Sequence, residues 1–396
     1  MANEYRPFFS RKHISALMWF SLLAILLLST LGPGDVEYYE IEAAKSGNLY
    51  WMEMHEQPET LAILLPTPAA LNPEQRRLQQ LKTQILQTRL QQMASPAYSF
   101  NVAPRQDRIE ITLRWASDQP VPDLKNLWRH LSQPVESARW HEALKKIEAR
   151  QYLQSQSEEQ QLIDQFFRQL QPETRADLLG MLATRYHQLF TSPRYAVSGE
   201  QAEEVAEQVQ QQLPTGPQVA AQPMPRISAS SEQQSSSGDH YRLLLGSTIV
   251  ARIDPGYQAE RIAARVLQDL LSANPGNSPL QFRLLWSALQ EAGYRALLVS
   301  SQVHPESLLA QLQQQISDEL IEHSQNQLAA EWQERMREPL NQQQALNQIA
   351  FYGLPTDSMA EYSQQLLDQE PEQIREIARR ALQSEQQIRI LHSPRN

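Results

Sequence analysis

Residues 214–239 read PTGPQVAAQPMPRISASSEQQSSSGD, and this stretch decides how the rest of the chain divides. Proline, glycine, serine and glutamine replace periodic apolar residues, so it reads as a flexible linker with no face to bury. It leaves flanks of comparable length, residues 36–213 and 240–396. The 396-residue total exceeds what one hydrophobic core usually organises, which also favours two bodies.

Outward from the linker, the flanks carry their elements in the same order. The first flank is expected to hold an apolar strand at 61–65, then a helix at 73–93 with Leu78, Leu81, Ile85, Leu86 and Leu90 on one face. At 107–115, Ile109, Ile111, Leu113 and Trp115 alternate with polar neighbours, the mark of a half-buried strand. Helical spacing follows at 121–131, at 135–150, through Phe166, Phe167 and Leu170, and at 178–190. Tyr195, Ala196 and Val197 form a short strand ending at Ser198 and Gly199, and 200–213 closes the flank as a helix. The second flank predicts a strand at 241–246, helices at 258–271 and 279–291, and an apolar strand at 296–303. A long helical tract at 306–338 comes next, then helices at 342–353, 358–369 and 372–383 and a last strand at 388–391. Pro371, in the first turn of its helix, is a sound N-terminal signal. The order repeats although the letters hardly do. The expectation is an α+β fold of two homologous halves, each a mixed β-sheet covered by helices.

Composition narrows the chemistry. There is no cysteine, which removes disulfides, thiolate ligands and cysteine nucleophiles. A net charge of -10 without any basic stripe argues against a nucleic-acid partner. Near the start, residues 14–31 (ISALMWFSLLAILLLSTL) carry no charge and are long enough to cross most of a hydrocarbon core. Arg6, Arg11 and Lys12 precede this run, and Asp35, Glu37, Glu40 and Glu42 follow it. The positive-inside rule then places a tail of residues 1–13 in the cytoplasm and the body beyond an inner membrane, in a bacterium the periplasm. A cleaved signal peptide is the competing reading, and Pro33 directly after Gly32 makes a poor cleavage site.

Several short stretches, taken in order, resemble the insulinase/pitrilysin-type zinc peptidases. In the second flank these are 289–293 (LQEAG, against L-R-E-x-G), 352–357 (YGLPTD, against Y-G-x-P-x-D) and 370–381 (EPEQIREIARRA, against a closing V-T-x-E-D-V-x-x-A-A helix). In the first flank they are 198–200 (SGE, against V-G-D) and 99–108 (SFNVAPRQDR, against N-A-x-T-S-R-D-R). The resemblance spans residues 36–393. It implies homologous halves of helices packed on mixed sheets, enclosing a peptide-binding chamber, and metalloendopeptidase activity in intact members.

The departures concern the chemistry. In active members two histidines on one helical face hold zinc and the intervening glutamate activates water, so all three residues are needed. The equivalent helix here is 73–93. Its polar positions are Arg76, Arg77, Gln79, Gln80, Lys82, Thr83, Gln84 and Gln87, with no histidine, no aspartate and no glutamate after Glu74. The substrate-clamping arginine of L-R-E-x-G falls at Gln290, beside Gly293, and the tyrosine expected just after falls at Ala296. Tyr294 lies close, and on sequence alone it takes that place only if the register slips. No catalytic, cofactor-binding or metal-ligating residue is therefore assigned. His141 beside Glu142 and Glu148 is the nearest approach to a metal cluster, but no second histidine shares its face. No G-x-S-x-G elbow is present. Trp115, Trp128 and Trp140, on amphipathic elements, read as packing residues, and the glutamine-rich helix faces read as solvated surface.

With the apolar run as an anchor and the catalytic residues missing, the expectation is a membrane-anchored, catalytically inactive subunit, and the resemblance implies that it pairs with a zinc-bearing homologue and helps form the peptide-binding chamber. Zinc is expected only in that partner. Peptide capture would use strand addition at a sheet edge, which needs backbone groups and no particular side chain. The alternatives are an envelope scaffold or peptide-binding protein without a peptidase partner, and last a zinc protease with unorthodox ligands.

Overall fold

A computed structural model describes residues 36–93, 95–174, 177–214, 229–236, 238–273 and 281–394. The apolar run at 14–31 and most of the linker lie outside them. Among the described residues no helix is long and apolar enough to cross a membrane.

The first half contains β1 (Ile41–Ala43), β2 (Leu49–Glu53), β3 (Glu59–Pro66), α1 (Pro73–Gln92), β4 (Tyr98–Pro104), β5 (Arg108–Trp115), α2 (Leu124–Leu131), α3 (His141–Gln154), α4 (Glu158–Leu170), α5 (Leu178–His187), β6 (Arg194–Gly199) and α6 (Ala202–Gln212). Its strands pair in the order β1-β2-β6-β3-β5-β4, parallel between β2 and β6 and antiparallel elsewhere. The second half contains β7 (Ser230–Ser236), β8 (Tyr241–Ile249), α7 (Tyr257–Ala273), β9 (Gln281–Ala288), β10 (Gly293–Ser301), α8 (Pro305–Gln314), α9 (Asp318–Met336), α10 (Pro339–Tyr352), α11 (Tyr362–Leu367), α12 (Pro371–Ala381) and β11 (Ile388–Pro394). Its sheet runs β7-β11-β8-β10-β9, parallel only between β7 and β11. Two mixed sheets with helices thus form an α+β body.

Burial explains the layers. In β3 the first seven residues are all buried, as a central strand covered on both faces requires. One face, Leu61, Ile63 and Leu65, packs with Leu78, Leu81, Ile85 and Leu86 of α1. In β8 the alternation is strict: Leu243 and Leu245 join the core under α7, while Leu244 joins a separate core on the opposite face. That second face is covered by α4 of the first half, through Leu162, Phe166, Phe167 and Leu170. In return α10 of the second half packs on β2, β3 and β6. The halves therefore exchange one helix each. Gly246 on β8 permits the approach of α4, because a Cβ there would lie 2.2 Å from Phe166 Cε2.

Three expectations are corrected. Residues 281–288 form strand β9, where a helix over 279–291 was expected. Phe282, Leu285 and Leu289 fit a helical period while Phe282, Leu284 and Trp286 fit a strand period, and pairing along β10 decides between them. The tract at 306–338 is two helices, because Ser317 caps a new one by accepting from Leu320 N at 3.2 Å, with Asp318 and Glu319 in its first turn. The last part of the expected linker is edge strand β7. A polar edge strand shows no apolar period, and Ser230 and Glu232 are held by Gln169 of α4 at 2.6 Å each.

Candidate functional site

Helix α1 starts where Asn72 accepts from Gln75 N at 2.7 Å, with Pro73 in its first turn. One row of it, with Glu74 and Gln79 buried and Arg76 half-buried, faces α4 and the β4–β5 turn. Arg76 forms an ion pair with buried Asp164 of α4 and lies 5.9 Å from the Phe167 ring centroid. Gln79 donates to Thr67 Oγ1 at 3.1 Å and to the Arg105 carbonyl. Glu74 accepts from Thr174 at 2.6 Å. Residues at the i, i+3, i+4 spacing that would carry two histidines and a glutamate, such as Arg76, Gln79 and Gln80, are thus a guanidinium and two amides. Guanidinium binds no metal, and neutral amides are poor zinc donors, so this face does not fit zinc. Among the described residues no group of three His, Asp or Glu is placed to hold a metal ion. His141 is exposed, and Glu142 pairs with Lys145 at 3.1 Å.

One cation on α1 is unusual. Lys82 is buried, and burial with Arg185 nearby lowers its pKa to about 7.

The LQEAG stretch is the tight hairpin joining β9 to β10. Gln290 is half-buried in the turn, and Gly293 starts β10 where a Cβ would lie 2.3 Å from the Ser287 carbonyl oxygen. Tyr294 and Ala296, two residues apart, share the face that packs on α4. The Tyr294 ring meets Phe167 edge-on at 4.9 Å, and its hydroxyl accepts a hydrogen bond from Gln106 in the β4–β5 turn. Burial raises the Tyr294 pKa, and the Gln106 bond opposes this.

The YGLPTD stretch leads to a charged hub absent from the sequence reading. Tyr352, the last residue of α10, donates to Asp107 Oδ2 at 2.9 Å. Arg108 donates to Asp107 at 3.0 Å, to Glu110 at 2.8 Å and to the Tyr352 hydroxyl at 3.3 Å. Burial disfavours the Arg108 cation, but the Asp107 and Glu110 carboxylates outweigh it and raise its pKa. The Phe351 ring lies 4.6 Å from the Arg108 guanidinium and 5.4 Å from that of Arg194. The sequence marks 99–108 and 352–357 separately, and carries alternating charge at Asp107, Arg108 and Glu110, but nothing in it joins the two stretches. The SGE turn belongs to the same exchange: Ser198 accepts from Gln343 of α10 at 2.8 Å. Trp115 is buried and Trp128 packs edge-on against Phe190 at 5.2 Å, in a core that Trp140 also borders.

No protein-family model matches the chain, and no curated protein sequence matches it. Solved structures do. The M16 peptidase inactive domain from Pseudomonas fluorescens matches with a TM-score of 0.68 at 14% identity, over 90% of this chain and 98% of that one. A putative M16-like peptidase from Alicyclobacillus acidocaldarius gives 0.62 at 12%, over 90% and 98%. A mutant of the ferredoxin protease FusC, solved in complex with Arabidopsis ferredoxin, gives 0.61 at 12%, over 92% of this chain but 47% of that one. At such identities the likeness shows the fold: this chain has the two-sheet fold of M16 peptidase-like proteins. The insulinase-like resemblance read from the sequence is borne out at that level, in a chain without the H-x-x-E-H motif.

Proposed function

We propose that this chain is a non-catalytic M16-like subunit that pairs with a zinc-bearing homologue and helps enclose a peptide-binding chamber. The observation that carries the proposal is α1. Its row of Glu74, Arg76 and Gln79 is engaged with Thr174, Asp164 and Thr67, on the helix where an active member would present metal ligands. A chain that keeps the scaffold and fills the catalytic face with structural contacts serves through its surfaces. That FusC spans about twice this chain's matched length supports two such units acting together. Residues 14–31 would anchor the subunit in the inner membrane with its body in the periplasm.

The test is affinity purification of the full-length protein from detergent-solubilised native membranes, with mass spectrometry and a zinc assay on the eluate. Stoichiometric recovery of an H-x-x-E-H subunit together with zinc is the expected result. Recovery of the chain alone and free of zinc would overturn the pairing.

A further inference from the structure

The chain joins its folded body at a fixed point. Tyr39 N donates to Gln342 Oε1 of α10 at 3.1 Å, and the Tyr38 hydroxyl bonds to the Trp332 side chain of α9. Trp332 is itself held, its N–H donating to the Met359 carbonyl at 3.1 Å and its ring stacked 4.2 Å from that of Tyr362. Both tyrosines are therefore pinned to the corner where α9 ends at Met336 and α10 starts at Pro339.

Six residues, 32–37, separate this point from Leu31, the end of the apolar run. Seven steps of fully extended chain reach at most about 25 Å. A compact chain of this length has a radius of gyration of roughly 20 Å, so its far side lies about two tether lengths away. If residues 14–31 span a membrane, only the surface around Tyr38 and Tyr39 can meet the lipid. What that surface carries suits the meeting. Leu340, in the first turn of α10 and two residues before Gln342, is 49% exposed. A single exposed leucine is ordinary on a protein surface, and this one differs in being held beside the tether. Arg335 and Arg337 are exposed on the same corner, Arg335 at 5.5 Å from the Trp332 ring centroid and Arg337 paired with Glu334 at 3.1 Å, and Glu338 is exposed next to them. Tyrosine and leucine settle at the headgroup–acyl boundary, while long arginine side chains reach phosphate. Charges of both signs match a headgroup layer that carries phosphate and ammonium together. A net charge of -10 opposes approach to an anionic surface, and no polybasic cluster at the corner offsets it.

We propose that the α9–α10 corner lies against the zwitterionic headgroup layer of the membrane that holds the anchor, with Leu340 and Tyr39 touching lipid. The contact fixes which side of the body faces the bilayer. It rests on the anchoring proposed above and is independent of the pairing with a peptidase.

The test uses the full-length protein in phosphatidylcholine nanodiscs. The natural absence of cysteine lets one introduced thiol carry a fluorescent label at a chosen position. Three variants are labelled separately: Leu340→Cys, Ser21→Cys within the apolar run, and Tyr152→Cys. Tyr152 is 67% exposed on α3, a helix whose Leu144 and Ile147 share a core with Tyr195 and Val197 of β6, whereas α10 meets Ser198 on the other face of that sheet. Lipids spin-labelled on the headgroup or on the acyl chain serve as quenchers. The expected result is quenching of Ser21→Cys by the acyl-chain lipid, and headgroup quenching of Leu340→Cys about threefold stronger than that of Tyr152→Cys. Quenching of Ser21→Cys with Leu340→Cys no more quenched than Tyr152→Cys would overturn the orientation and leave the anchor standing. An unquenched Ser21→Cys would overturn the anchor, and the orientation with it. Quenching of Leu340→Cys that needs added phosphatidylglycerol would overturn the zwitterionic assignment.

Discussion

Helices α4 and α10 each cross to the other half, and they are held there by different physics. The seat of α4 is apolar: Leu162, Phe166, Phe167 and Leu170 meet Leu244, Leu298 and Ile390. The seat of α10 adds a polar row to its buried Leu346, Ile349 and Phe351. Gln343 donates to Ser198 and accepts from Arg114 at 2.9 Å, and Tyr352 meets Asp107 and Arg108. An apolar seat gains from area and is non-directional. A polar seat gains little net from each bond but strands several groups when one member is lost. The first supplies stability, and the second fixes where the helix ends.

The largest effect should come from the apolar seat. Phe166→Ala is expected to cost about 3–5 kcal/mol in urea unfolding, as core phenylalanine truncations do. Gly246→Val is also destabilising, because its side chain would enter the space of the Phe166 ring. In the double variant the valine can occupy the vacated space, so its cost should fall well below the sum of the two. Strict additivity would mean that α4 is not seated on Gly246 as described.

Next comes the polar seat. Arg108→Met strands Asp107 in a buried hub while Glu110 keeps Arg105, with an expected loss of roughly 3 kcal/mol. Adding Asp107→Asn to Arg108→Met should recover part of that, and a double variant as unstable as the single one would show that the guanidinium serves only by its packing on Phe351.

How much of this was legible follows from the same contrast. The apolar face of α1 and the alternation of β5 could be read directly, because one-sided burial writes a period into the sequence. The α4 seat was half legible: its aromatics were evident, but not the sheet they cover, since that contact joins residues far apart in the chain. The hub at Asp107, Arg108, Glu110 and Tyr352 was nearly silent, because charged residues at a turn normally signal solvent. Strand β9 was misread because a short apolar run fits both periods. That Tyr294 and Ala296 share a face emerged only with β10, because an apolar run read without its partner strand does not say which side is covered.

Lys82 provides a probe of the first half that touches neither seat. Its folded pKa of about 7 lies below the reference value of 10.5, so folding expels a proton throughout that window. The resulting destabilisation is fully present below about pH 7, shrinks as pH rises, and vanishes above the unfolded pKa. Lys82→Met should therefore be more stable than the parent at pH 7, by about 1–3 kcal/mol once relaxation around the amine is allowed for. The gap should close toward pH 10. A melting-temperature difference that stays constant over that range would mean that the amine is solvated in the folded chain.

The smallest expected effect separates the two seats most sharply. Tyr352→Phe removes one hydroxyl that donates to Asp107 and accepts from Arg108, and leaves those two paired with each other. No buried charge is stranded, so the loss should be about 1 kcal/mol. The hydroxyl is also where α10 touches the β4–β5 turn, and Gln106 of that turn meets Tyr294. Hydrogen exchange should therefore quicken at Arg105–Arg108 and the end of α10 while the α4 seat stays protected. Equal acceleration in both regions would show that the exchanged helices open as one cooperative unit, and the division into an apolar and a polar seat would then describe contacts but not stability.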